Sequence, residues 1–205
     1  SVIGFSKVKQ VFFPASNTPI FLVDLWQPAG TDIRQSDAEA LEVVRYLQSL
    51  DGVEAVTLTS GRGADRFMLT YQPERFYAAY SQLVVRVEDK SLLAGRMADV
   101  SSYINEQHPG LLHKLKRLDV GPSPAAKLEA RFSGADPNVL RQLAEQAKAI
   151  MAQDPGTRNL RDDWSNRVKV IRPQFNEALA RRVGIGKQDI DDVLLTHVNG
   201  RTVGI

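Results

Sequence analysis

A strand–helix–strand pattern occurs twice in this chain, and that repetition restricts the fold more than any other feature. The first copy begins with the apolar run Phe21-Leu22-Val23-Asp24-Leu25-Trp26 and turns through Pro28-Ala29-Gly30-Thr31 into a helical stretch. That stretch stops at Asp51-Gly52, and Val53-Glu54-Ala55-Val56-Thr57-Leu58 resumes the strand pattern. The second copy runs from Lys127–Phe132 through Ser133-Gly134-Ala135-Asp136-Pro137 into a helix, stops at Asp154-Pro155-Gly156 and continues as Thr157-Arg158-Asn159-Leu160. Two βαβ units about a hundred residues apart imply a duplicated sheet-and-helix architecture.

The periodicities fill in the rest. In the first strand Leu22, Asp24 and Trp26 share one face, and Val23 and Leu25 the other. Thr31 or Asp32 caps the following helix, whose Leu41, Val44 and Leu47 form an apolar face. After a strand over Val53–Thr59 comes a loop, Ser60-Gly61-Arg62-Gly63-Ala64-Asp65. Phe67–Tyr71 reads as extended, and Gln82–Glu88 as a strand rich in Val. Helical spacing of Leu93, Met97, Val100 and Ile104 predicts a helix over Ser91–Gln107, stopped by His108-Pro109-Gly110. A strand over Leu115–Val120 follows, and Gly121-Pro122-Ser123-Pro124 marks the internal boundary.

Beyond it, Asp136 is an N-cap and Pro137 the first helical residue, with Leu140, Leu143, Ala147 and Ile150 as the expected buried stripe. Val168–Arg172 reads as a strand, followed by helices over Glu177–Val183 and Lys187–His197, ended by Gly184 and by Asn199-Gly200. The order β-α-β-β-β-α-β, then β-α-β-β-α-α, contains the split-βαβ plan. The expected fold class is α+β: two ferredoxin-like subdomains, the second incomplete and carrying an unpaired sheet edge.

Several function classes lose support. The net charge is +2, with basic residues scattered among acidic ones, whereas a nucleic-acid reader gathers Lys and Arg on one face. The longest apolar run contains Asp24 and falls well short of the roughly 20 residues a membrane helix needs. Without cysteine there is no disulfide, thiolate metal site or cysteine nucleophile. His108, His113 and His197 lack zinc-ligand spacing. Gly61-Arg62-Gly63 lacks the Gly-Lys-Ser/Thr ending of a phosphate loop, and Gly184-Ile185-Gly186-Lys187 reads as a connection between helices. Asp162 and Asp163 point to opposite faces of an extended chain and read as solvated carboxylates with local Arg partners. Met68, Met97 and Met151 are too few for a methionine ladder. The expectation is no enzyme, no metal and no cofactor.

The chain nevertheless resembles one family along nearly its whole length, in order. The matching runs are Val8–Asn17, Phe21–Thr31, Arg66-Phe67-Met68-Leu69, Leu118-Asp119-Val120-Gly121-Pro122, Phe132-Ser133-Gly134, Asp154–Trp164, Ala178–Gly184 and Gly200-Arg201-Thr202-Val203-Gly204. They are similar to the resistance–nodulation–division (RND) efflux transporters of bacteria, in the acriflavine-resistance branch. The similar region is the large periplasmic loop of the C-terminal half.

The resemblance implies a porter fragment of a proton-driven inner-membrane pump that exports drug-like or amphiphilic small molecules. This piece would lie on the periplasmic side. The full pump would be a homotrimer working with a periplasmic adaptor protein and an outer-membrane channel. Residues 1–18 would be the exit from a membrane helix, and 19–121 the first porter subdomain. Residues 122–197 would be part of the second, and 198–205 the start of a docking-domain segment. The family's chain returns later to complete that second sheet. Strand one would line the substrate cleft with Leu22, Asp24 and Trp26, and Thr57 and Thr59 would form another wall. Arg117 and Asp119 would close its back. Ser60, Gly61, Arg62, Gly63, Ala64, Asp65 and Arg66 match the loop separating two pockets, here shorter, more polar and without phenylalanine. The rival reading is a free-standing ferredoxin-like module that binds a small molecule or regulates a partner.

Overall fold

The computed structural model describes residues 16, 18–118, 128–157, 160–170, 172–198 and 200. Most of the expected membrane-helix exit (1–18), the Gly121–Pro124 boundary, Asp119 and nearly all of the docking segment (198–205) lie outside them. The chain divides into two compact units, 1–167 and 168–205. That break lies well beyond the 121–124 boundary read from the sequence.

The first unit is built as β1 (Ile20–Trp26), α1 (Ile33–Gln48), β2 (Val53–Ser60), β3 (Tyr80–Val87), α2 (Leu93–Gln107), β4 (Leu112–Arg117) and α3 (Pro137–Met151). The four strands form one antiparallel sheet in the order β2-β3-β1-β4. With α1 and α2 as crossovers this is the ferredoxin-like plan expected for the first subdomain.

Local chemistry sets the helix starts. The Asp32 carboxylate accepts the Arg34 N–H at 2.8 Å, and Asp136 does the same for Asn138 with Pro137 at the first helical position. Each cap satisfies a backbone donor that has no partner within its helix. In α1 the buried residues are Ser36, Ala40, Val43, Val44 and Leu47. Leu41, expected on that face, is 37% exposed, because the buried stripe runs through Ala40 and Val43 instead.

The core lies between α1, α2 and one face of the sheet. Phe21, Val23 and Leu25 of β1 meet Val43 and Leu47 of α1, Leu83 and Val85 of β3, and Val100 and Ile104 of α2. Each such fully buried aliphatic side chain contributes about 1.5–3 kcal/mol. Met97 packs against this cluster's edge. On the opposite face Leu22, Tyr71 and Leu118 form a smaller cluster with Ile20, Met68 and Val84 at its rim. Strand β1 is therefore buried on both faces from Phe21 to Leu25 although only one face carries helices.

Three expected strands are not found among the described residues, and of a fourth, over 157–160, the two described residues Thr157 and Leu160 carry no strand either. Phe67–Tyr71 joins one irregular connection from Gly61 to Ala79, and residues 128–132, 168–170 and 172 carry no strand. A strand exists through its ladder, and no described residue pairs with these segments. The expected buried stripe of α3 is largely open: Leu143 is 38% and Ile150 67% exposed.

The second unit contains α4 (Glu177–Val183) and α5 (Lys187–Val198). Asn176 caps α4 through its side chain, and Gly184 ends it in the left-handed conformation at φ 72°. No helix among the described residues is long and apolar enough to cross a membrane.

Candidate functional site

Strand register decides which side chains share the helix-free face. Across the sheet Thr57, Val84 and Leu22 form one row, Thr59, Gln82 and Asp24 the next, and Tyr80 with Trp26 the third. The expected residues Leu22, Asp24, Trp26, Thr57 and Thr59 thus lie on one surface. Arg117 does not. It pairs with Phe21, which places it on the helix-bearing face. The basic residue of β4 that reaches the site is its neighbour Lys116, one position away, because the side-chain period of a strand is two.

Asp24 sits at the centre of this face and is 2% exposed. Its Oδ1 accepts from the Tyr80 hydroxyl and from Gln82 Nε2, both at 2.7 Å, and its Oδ2 lies 3.0 Å from Lys116 Nζ. A buried carboxylate is tolerable only with such partners. Gln82, buried as well, turns its Oε1 toward the loop and accepts from the Tyr71 hydroxyl at 2.6 Å and the Ala64 N–H at 2.9 Å. Lys116, Asp24, Gln82 and Tyr71 therefore form one chain of polar contacts from the sheet edge into the loop. Burial, followed by the Asp24 charge, raises the Tyr80 phenol far above its ordinary value. Tyr71 is raised chiefly by burial. Both stay protonated and donate.

The loop is not the short, polar Ser60–Arg66 segment expected. Ser60 ends β2, and the irregular connection runs on to Ala79 and carries Phe67, Leu69, Phe76 and Tyr77, all exposed. Its hinge is Gly61, at φ 79°, where an added Cβ would meet Ile33 Cδ1 at 2.6 Å. Backbone bonds from Gly61 N–H to Tyr80 O and from Tyr77 N–H to Gly61 O, both 2.7 Å, fix the loop's two ends together. Gly63 N–H donates to Glu74 O at 3.0 Å, and Arg66 donates to the Met68 and Leu69 carbonyls. Arg62 and Asp65 form an exposed ion pair at 3.1 Å. Phe67 stacks on Tyr71 with ring centres 4.8 Å apart.

At the far end of the face Trp26 packs at 5.5 Å from the Tyr80 ring, and the Arg161 guanidinium lies 4.4 Å above its indole. The chain just after Arg161 is tied to the β1–α1 turn and to α3. Asn166 makes two hydrogen bonds with the Ala29 backbone, at 2.6 and 3.1 Å, and Arg141 donates to Ser165 O. Asp162 pairs with Lys148 at 2.9 Å, so its partner is a lysine of α3 and not a local arginine. Burial pushes the Asp162 carboxyl up, but Lys148 and the Trp164 and Ser165 N–H groups outweigh it and hold the pKa below the usual range.

A separate open hollow of about 480 Å³ lies where α1 meets the end of α2, lined by Gln27, Glu39, Glu42 and His108 among others. Among the described residues no three His, Cys, Asp or Glu side chains converge as metal ligands. Lys116, Gln82, Tyr71, Tyr80 and Arg161 escaped the sequence reading. Alternation signals Gln82 and Lys116 once the register is known, but nothing in the sequence pairs Arg161 with Trp26, which is 135 positions away.

A family model described as the AcrB/AcrD/AcrF family matches residues 1–205. No curated protein matches the chain. Two solved structures, described as X-ray crystal structures of a heavy metal efflux pump in crystal forms II and I, superpose with TM-scores of 0.62 each. They are 17% and 14% identical, and the matches cover 95% and 96% of this chain. The likeness, which at this identity is one of fold, takes in the second half of the chain as well as the sheet, in keeping with an α+β fold of ferredoxin-like subdomains. This chain spans 20% and 21% of the length of those two.

Proposed function

Because this chain belongs to the AcrB/AcrD/AcrF family of RND efflux transporters, we propose that it is a porter segment whose helix-free sheet face forms one wall of a substrate cleft. The loop 61–79 is the movable cover of that wall. One observation carries the reading: the loop rests on the sheet face through one small apolar cluster, Tyr71 and Met68 with Leu22, and a few polar contacts, Tyr71 and Ala64 to Gln82, whereas the main core lies on the helix side. Such a cover opens at the cost of a few hydrogen bonds, each worth about 1 kcal/mol net, and of exposing that one small cluster. Trp26, Thr57 and Thr59 then meet cargo, and the exposed Phe67, Leu69 and Phe76 supply the non-directional apolar contact that suits drug-like or amphiphilic compounds.

In this reading the segment works on the periplasmic side of the inner membrane within a proton-driven homotrimer. That trimer hands cargo to an adaptor protein and an outer-membrane channel. The cleft performs no bond-making chemistry: Asp24 is held by donors that fix its position and none that a reacting group would share. Asp119 keeps its role as a back-wall candidate.

The test is export of an amphiphilic dye by cells producing the complete transporter. Trp26→Ala and a Phe67→Ala/Phe76→Ala double variant are expected to lower export severalfold at unchanged protein level. Export equal to that of the parent in both variants would remove the cleft from the mechanism.

A further inference from the structure

Arg161 and Trp26 come from opposite halves of the first unit, and their contact is fixed from several directions. The guanidinium lies 4.4 Å from the indole centre, while Asn166 to Ala29, Arg141 to Ser165 and Asp162 to Lys148 hold the stretch of chain that follows it. Arg161 itself is exposed. A guanidinium lying on an aromatic ring has one π-face occupied and keeps its N–H edge for planar, two-point recognition of a carboxylate. Among the described residues no carboxylate is paired with Arg161.

Basic side chains share the sheet face that Trp26 belongs to. On the same sheet face β4 presents Lys114 and Lys116 beside β1, by register. The nearest strand carboxylate, Asp24, already takes Lys116, Gln82 and the Tyr80 hydroxyl, so it is buried and engaged. Asp162 is held by Lys148 on α3. Next to the arginine, the partly exposed Trp26 indole rests on the buried Tyr80 ring at 5.5 Å and is the aromatic surface on offer.

We propose that Arg161, stacked on Trp26, is the cleft's receptor for the carboxylate of an aromatic or amphiphilic acid. The inference rests on the porter reading for its biological role and assigns that cleft a preferred substrate class, anionic and not cationic. The indole holds the guanidinium flat, the N–H edge binds the carboxylate, and the apolar body of the acid lies along Trp26. No covalent step is involved.

The binding test uses this chain. It has two tryptophans, so an isotope-labelled sample gives two indole N–H resonances, assigned with Trp26→Phe. Titration with benzoate, benzamide and benzylammonium is expected to move the Trp26 signal at concentrations at least about tenfold lower for benzoate than for the other two. Added salt weakens that preference. Arg161→Gln is expected to abolish it, and Arg161→Lys to restore part of it. Equal response to benzoate and benzamide, or a preference that survives Arg161→Gln, overturns the proposal.

A parallel export assay separates the two readings, using a carboxylated dye and its amide in cells producing the complete transporter. If both dyes leave at rates unaffected by Arg161→Gln, the anion site is overturned and the porter reading stands. A benzoate preference in a transporter that exports neither dye sustains the anion site and overturns the porter reading.

Discussion

Asp24 and Gln82 face each other across β1 and β3, and the carboxylate Oδ1 accepts the Gln82 Nε2–H at 2.7 Å beneath the loop. Gln82 spends its other end on that loop, so one cross-strand pair joins the sheet's buried charge to its cover. Removing the carboxylate leaves Gln82 and Tyr80 with buried, unmatched donors and Lys116 without its counter-charge. Asp24→Ala is expected to destabilise the chain by about 3 kcal/mol in urea unfolding, within the range for breaking a buried pair from one side. A loss below about 1 kcal/mol would show that water fills the gap.

Tyr71→Phe keeps the ring against Leu22 and deletes only the 2.6 Å bond to Gln82. A cost of about 1 kcal/mol is expected, concentrated in the loop. Trypsin reads this directly at Arg62, Arg66 and Arg75, where cleavage is expected to speed up several times while the sheet stays intact. Unchanged cleavage would mean that the loop is held by something other than the polar chain.

Two glycines give opposite signs. At Gly61 the φ of 79° and the 2.6 Å approach to Ile33 Cδ1 make Gly61→Ala costly, by about 1–3 kcal/mol. Gly95 lies within α2 with nothing within 4 Å of an added Cβ. Gly95→Ala is expected to stabilise by about 0.5–1 kcal/mol through lower backbone entropy in the unfolded chain. Thermal melts of both variants check the pair, and equal signs would contradict it.

His113 gives a pH dependence with a definite direction. It is buried on β4 with Nε2 2.9 Å from Ser101 Oγ, and burial lowers its pKa despite a backbone bond to Leu111 that acts the other way. The unfolded imidazole binds its proton at a higher pH than the folded one. Its contribution is therefore fully present above the ordinary histidine pKa of about 6.5 and is lost as pH falls through that value toward the lower folded one. The urea midpoint is expected to drop between about pH 7 and pH 5, and His113→Gln to flatten that drop. An unchanged slope in the variant would assign the dependence to other groups.

Much of the first unit is legible in the sequence. Alternation of Leu22, Asp24 and Trp26 against Phe21, Val23 and Leu25 follows from the strand's period of two. Asp32, Asp136 and Pro137 announce helix starts through local chemistry that needs no distant partner. The loop was not legible. Phe67–Tyr71 alternates like a strand, and only the direct pairing of β2 with β3 excludes it from the ladder.

Arg117 failed for a related reason. Composition marks β4 as basic, but whether Lys116 or Arg117 reaches Asp24 depends on a register of one residue, and that is fixed by the strand beside it. The exposed stripe of α3 and the contact of Arg161 with Trp26 belong to the same class. Sequence by itself determined where backbone donors are capped, where the helices lie, and the split-βαβ order of the first unit, because these rest on neighbours within a few positions. Tertiary structure alone decided which face is lined, which lysine meets the buried carboxylate and which arginine covers the indole, because those choices are made by groups that only folding brings together.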